Sequence, residues 1–174
     1  MYVRRRLALL FLLGVCGLPV VSACDSGAPR RTGMLGPGAT PPPLVAQAWL
    51  NGPAPSASDL EGRVVVIDVW AHWCGPCMQA APHIVAAYDR FKSQGVVFVG
   101  LSPDDARQES EEFLATARIP WPNGIGAGAT CEALGVRTIP TLFVIGADGR
   151  ITWNSNLDGT LDEAIEAALE RAKS

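Results

Sequence analysis

The run Val64-Val65-Val66-Ile67-Asp68-Val69-Trp70 is followed two residues later by Trp73-Cys74-Gly75-Pro76-Cys77. A near-continuous apolar stretch of this length suits a strand buried on both faces, in a sheet covered by helices. The chain behind it places two thiols where that strand feeds a helix. On a first helical turn, cysteines at i and i+3 lie on nearly one face with Cα atoms roughly 5 Å apart, inside the window that a disulfide requires. Cys74 then sits at the helix N-terminus, where unpaired N–H groups and the positive end of the dipole favour a thiolate. Cys74 is the expected nucleophile and Cys77, one turn deeper, the expected resolving thiol. Pro76 suits a first turn because its missing N–H has no intrahelical partner there. The same C-x-x-C pattern is also half of a zinc site, which needs two further ligands; the chain holds no second C-x-x-C.

The rest of the 174 residues allows one domain with a real core and an additional N-terminal segment. Arg4-Arg5-Arg6 and the apolar run from Leu7 to Val21, interrupted by Gly14, Gly17 and Pro19, have the form of an export signal and not of a membrane span. The signal ends in Val21-Ser22-Ala23-Cys24, which resembles the bacterial lipobox. That resemblance implies cleavage after residue 23, lipidation of Cys24 and a mature protein anchored at the extracytoplasmic face of the cell membrane. An ordinary signal peptide cut near Ala23 is the other reading. Loss of residues 1–23 removes three of the 14 basic residues and none of the 17 acidic ones, leaving a formal charge of −6. Such a balance argues against a nucleic-acid partner.

From Asp25 to Pro43, nine of nineteen residues are Gly or Pro, and residues 24–43 read as the anchor cysteine plus a flexible tether. A coil of this length reaches roughly 25 Å on average and at most ~60 Å. Residues 44–174 read as the folded domain. Leu44 to Leu50 suggests a short strand, Val96 to Leu101 a second buried strand, and Gln108 to Ala117 an amphipathic helix. The helix from Cys74 is expected to bend at Pro82 and to stop at Ser93-Gln94-Gly95, while 119–123 reads as a loop. Thr130 to Leu134 suggests a short helix closed by Gly135. Thr141–Ile145 and Ile151–Asn154 flank the turn 147–150 as a hairpin, and Thr160 with Glu163 forms a capping box for a final helix to about Ala172. Strand, helix, strand, helix, strand, hairpin, helix describes an α/β sheet with parallel crossovers and an antiparallel end.

Residues 64–77 resemble thioredoxin closely, and the span from Leu44 to Ser174 resembles the membrane-tethered TlpA/ResA branch of that superfamily. Three stretches carry the likeness: 68–77, Gly135-Val136-Arg137-Thr138-Ile139-Pro140-Thr141, and the hairpin from Val144 to Ile151. Between them, Ser102-Pro103-Asp104-Asp105 and the following helix and loop fit the insertion of the TlpA-type branch. The resemblance implies a thioredoxin-like α/β fold, a central mixed sheet flanked by helices. It makes Pro140 the cis-proline that faces the dithiol, with Ile139 before it, and makes Trp73, Gly75 and Pro76 the rim on which a substrate chain docks. It also gives Asp68 a role. An acid within an apolar strand is costly unless paired, protonated or useful, and the family position implies a raised pKa and proton exchange with Cys77.

The implied activity is reduction of disulfides in exported proteins, such as apocytochrome c or copper-site assembly proteins, without a cofactor or metal and with electrons from a membrane reductase. The Gly-Pro spacer departs from ResA-type members that carry an acidic residue there. Other readings on the same fold are a disulfide oxidant or isomerase and a copper chaperone, although the latter resembles C-x-x-x-C with a distant His. Peroxidase activity is a further possibility, for which the P-x-x-x-T-x-x-C signature is absent. His72 reads as exposed and uninvolved, and His83 as a surface or half-buried residue of the helix. Cys131, the remaining thiol, reads as a buried small hydrophobe, with a mixed disulfide to a partner as the alternative.

Overall fold

A computed structural model describes residues 33–173. The signal segment, Cys24 and residues 25–32 lie outside the described residues. Among the described residues no helix is long and apolar enough to cross a membrane.

The strand expected from the apolar run, β2 (Val65–Val69), has all five residues buried. It lies inside a six-stranded sheet, paired in parallel with β3 (Val97–Leu101) and antiparallel with β5 (Thr141–Ile145). Beyond β5 lies β6 (Ile151–Asn154), antiparallel. On the other side, β3 pairs in parallel with β4 (Asn123–Ile125), and β4 antiparallel with β1 (Ala48–Leu50), so the order is β1-β4-β3-β2-β5-β6. The helices are α1 (Ala57–Leu60), α2 (Gly75–Phe91), α3 (Arg107–Ala117), α4 (Gly128–Ala133) and α5 (Leu161–Ala172).

Strand periodicity sorts the core into two layers. Val64, Val66 and Trp70 pack with Ala81, Ile84 and Phe91 of α2 and with residues of α3 and α5. Val65, Ile67 and Val69 face the opposite layer, with Val99, Phe143 and Leu134. The Thr160–Glu163 capping box is formed, and α5 begins where it directs. The helix α2 continues past Pro82, the expected bend, and gives way to a 3-10 turn, Lys92–Gln94, closed by Gly95 at φ 82°.

Two expectations are corrected. The stretch after Ile119 is not all loop: Asn123-Gly124-Ile125 forms β4. Asn123 and Gly124 disfavour a strand, and β4 forms because β1 and β3 offer hydrogen bonds on both sides. Gly124 suits the place, since a Cβ there stands 2.6 Å from Ala46 Cβ. The Gly/Pro-rich tether is shorter than its composition suggests. Residues 33–43 lie along the fold as a strap: Leu35 is buried, its N–H donates to the Leu134 carbonyl (2.9 Å), and Asn154 Nδ2 donates to its carbonyl (2.9 Å). Farther along, Gly38 N–H donates to the Ile151 carbonyl and Ile151 N–H to that of Ala39. Leu35, with the partly buried Met34 and Ala39 and the backbone bonds to the edge of β6, holds a segment of low hydrophobicity.

Candidate active site

Cys74 caps α2, with Gly75 and Pro76 opening the first turn. A tight turn delivers it there, Cys74 N–H donating to the Ala71 carbonyl (3.0 Å). Cys74 and Cys77 form a disulfide with Cα atoms 5.2 Å apart, and Cys77 N–H donates to Cys74 Sγ (3.1 Å). Both sulfur-bearing residues are 4% exposed, whereas Trp73 is 63% exposed. Gly75 and Pro76 are also exposed. A chain reaching the disulfide therefore crosses a rim made by these three residues. The helix N-terminus and the amide on Sγ place positive potential where negative charge develops when the disulfide opens.

The loop that follows α4 reaches the same end of the sheet. Ile139–Pro140 is a cis peptide, and both residues are half-buried. Thr141 Oγ1 donates to the Thr138 carbonyl (2.6 Å) and closes this corner. Val136 to Ile139 line one wall of a groove of about 270 Å³, with Trp73, Val69 and Cys131 on others. The groove joins the active-site rim to the cis-proline loop.

Asp68 is 3% exposed, and its Oδ1 is buried without a hydrogen-bond partner. Burial pushes its carboxyl up to about 7, because the charged form loses its hydration with nothing to replace it. Strand alternation turns its side chain toward the face of β2 shared by Val66 and Trp70, which is the layer that also contains Cys77. The sequence expectation of a raised pKa for this acid agrees with the geometry. Cys131 is buried in the opposite layer, and burial raises its thiol to about 11. As a free thiol it is a poor nucleophile.

His72 differs from the expectation of an exposed, uninvolved side chain. It is half-buried, with Nδ1 3.5 Å from Asp104 Oδ2, and neither atom has another partner. Asp104 lies 32 positions away on the loop after β3, so nothing local could signal the pair. His83 is exposed on α2. Among the described residues no three His, Cys, Asp or Glu side chains converge as a metal site would require.

Residues 43–154 match the AhpC/TSA family. The chain belongs to that family. It is 28% identical over 116 residues to the thiol-disulfide oxidoreductase ResA of Bacillus subtilis, a match covering 66% of this chain and 64% of that protein, slightly under two thirds of the relative's length. ResA of Geobacillus kaustophilus is 29% identical over 138 residues, 78% of each chain. Among solved structures, a thioredoxin-family thiol:disulfide interchange protein from Chlorobium tepidum superposes with a TM-score of 0.64 at 25% identity, over 75% of this chain and 96% of that one. The thioredoxin domain of a Bacteroides vulgatus oxidoreductase shares the fold at a TM-score of 0.65 and 20% identity, over 79% and 97%. The thioredoxin-like fold expected from the sequence is thus found.

Proposed function

We propose that this protein is an extracytoplasmic thiol–disulfide oxidoreductase that reduces disulfides in exported proteins. The observation that carries this reading is the Cys74–Cys77 bridge at the N-terminus of α2, rimmed by exposed Trp73 and Pro76. The family match and the ResA-named relatives support it.

In the reduced protein, Cys74 thiolate attacks one sulfur of a partner disulfide. The partner's other sulfur leaves as a thiolate, and a mixed disulfide remains. Asp68 then takes the proton of Cys77, and the Cys77 thiolate attacks Cys74 Sγ, closing the internal bridge and releasing the partner's second thiolate. Two electrons have passed to the partner. A carboxyl pushed up to about 7 suits that step, since it is within reach of either protonation state near neutral pH. Ile139 and the cis peptide at Pro140 hold the partner chain beside the dithiol, and the groove behind Trp73 accepts one of its side chains.

Turnover requires a dithiol donor, for which a membrane reductase is the proposed source. Cys24 is proposed as the lipidated anchor. Apocytochrome c or a copper-site assembly protein is the proposed type of substrate, with the Gly-Pro spacer favouring a general reductant over one dedicated to cytochromes.

The test is the reduction potential of Cys74–Cys77, measured by thiol trapping across dithiol buffers. A value near −270 mV is expected for a reductant, and one near −120 mV makes the protein a disulfide donor instead. Cys77→Ser is expected to accumulate mixed disulfides through Cys74. Failure of both, with a tight copper complex in their place, would favour the chaperone reading.

A further inference from the structure

The strap has a direction. Its first residues sit at the dithiol end of the sheet. A Cβ on Gly135 would lie 2.4 Å from the Gly33 carbonyl oxygen and 2.6 Å from Met34 Cα, so this glycine, at φ +77°, is in direct contact with the strap's beginning. Gly135 opens the run to Pro140 whose residues 136–139 wall the groove beside Trp73. Leu35 is tied to Leu134 and to Asn154, and Asn154 pairs with Phe143, two residues after β5 leaves the cis-proline corner. The strap's last residues sit at the other end. Pro41, Pro42 and Pro43 line a cavity with Asp148 and Gly149 of the hairpin turn and with Val65, where β2 begins. Val65 pairs with Ile145, and Val69, beside the dithiol, with Thr141. Strap residues 33 and 43 thus mark opposite ends of the sheet.

This changes the reach of the anchor. Eight residues, 25–32, separate Cys24 from the strap, and such a segment extends at most ~30 Å. That is about half of what the composition-based tether allows.

We propose that the strap makes the chain leave the domain beside the dithiol, so that the anchored protein works with its dithiol end toward the bilayer. Its partners are then proteins whose reactive cysteines lie in, or within about 30 Å of, the membrane surface. The inference rests on the reading of Cys24 as the lipidated residue.

The experiment uses the full lipidated protein in vesicles of phosphatidylethanolamine and phosphatidylglycerol that contain a trace of headgroup-labelled acceptor lipid. In Cys77→Ser, a maleimide donor is placed on Cys74 at the N-terminus of α2; Cys131, whose thiol burial raises to about 11, does not compete. In a second protein, Cys74→Ser, Cys77→Ser and Asp148→Cys together move the donor to the hairpin turn. A five-residue strand separates the ends by at least ~13 Å, and donor quenching from Cys74 is expected to exceed that from position 148 by roughly twofold. A Gly/Ser insertion of about 20 residues after Thr32 is expected to remove the difference. Equal or reversed quenching in the uninserted, vesicle-bound protein overturns the orientation alone. Protein that does not float with vesicles, and behaves as Cys24→Ser does, overturns the anchor and the orientation with it.

Discussion

Asp68→Asn should remove the fall in stability that this carboxyl imposes as pH rises from about 4 to 7. The native carboxyl is raised from 3.8 to about 7 by burial alone, so between those values the folded state binds a proton that the unfolded state has released. Stability of the wild type therefore falls as pH rises through that window and levels off above about 7. At 1.36 kcal/mol per pH unit, a rise of this size amounts to about 4 kcal/mol, which is large against the total stability of a small domain. Asn fills nearly the same volume and carries no charge. Urea unfolding of wild type and variant, with the disulfide intact, gives the free energies by linear extrapolation at each pH from 4 to 8.5. The variant is expected to gain on the wild type by about 4 kcal/mol across this range, with most of the change complete by pH 7. Parallel curves would refute the reasoning, since they would mean that Asp68 is solvated or paired in solution. The same variant should slow closure of the Cys74–Cys77 bridge and flatten its pH profile; an unchanged rate would remove Asp68 from the proton step.

Other outcomes follow from packing and reactivity. Gly100→Ala places a Cβ 1.7 Å from Asn123 Oδ1 and 2.9 Å from Trp70 Nε1, so it should break the Trp70–Asn123 hydrogen bond and cost about 1–3 kcal/mol in chemical denaturation; an unchanged midpoint would contradict the close approach of β3 to this pair. Leu35→Ala should cost about 2–5 kcal/mol and expose the strap to limited proteolysis ahead of the domain, because Leu35 is buried against the outer layer of the sheet; a neutral effect would show that the strap does not pack. With its thiol raised to about 11, Cys131 should be roughly a thousandth thiolate at pH 8, and mass spectrometry of the reduced native protein should find iodoacetamide on Cys74 long before Cys131. Comparable labelling of the two would overturn the raised thiol of Cys131.

The dithiol was legible because its geometry is local. Two cysteines three positions apart on a helical turn must lie near one another, and a strand before them and a proline between them set where that turn begins. The capping box at Thr160, the hairpin around Asp148-Gly149 and the apolar run of β2 are likewise short-range patterns, and each forms in the structure where its residues direct. Asp68 was legible for a related reason, since a charge within a strand buried on both faces is anomalous whatever surrounds it.

Only the tertiary structure decided the features made by residues far apart in the chain. The bond from Asn154 to Leu35 spans 119 positions, and without it a Gly/Pro-rich segment reads as tether. Strand β4 exists because β1 and β3 leave a gap that its backbone fills, although Asn123 and Gly124 are residues depleted in strands. The groove at the active site combines β2, α4 and the cis-proline loop, and the His72–Asp104 pair joins two loops that no spacing rule connects. Local sequence sets backbone and side-chain preferences over a few residues, and so determined the thiol pair, its helix and its strand. Which distant surfaces meet depends on the free energy of the whole packed arrangement, and so the strap and the groove were settled only by the fold.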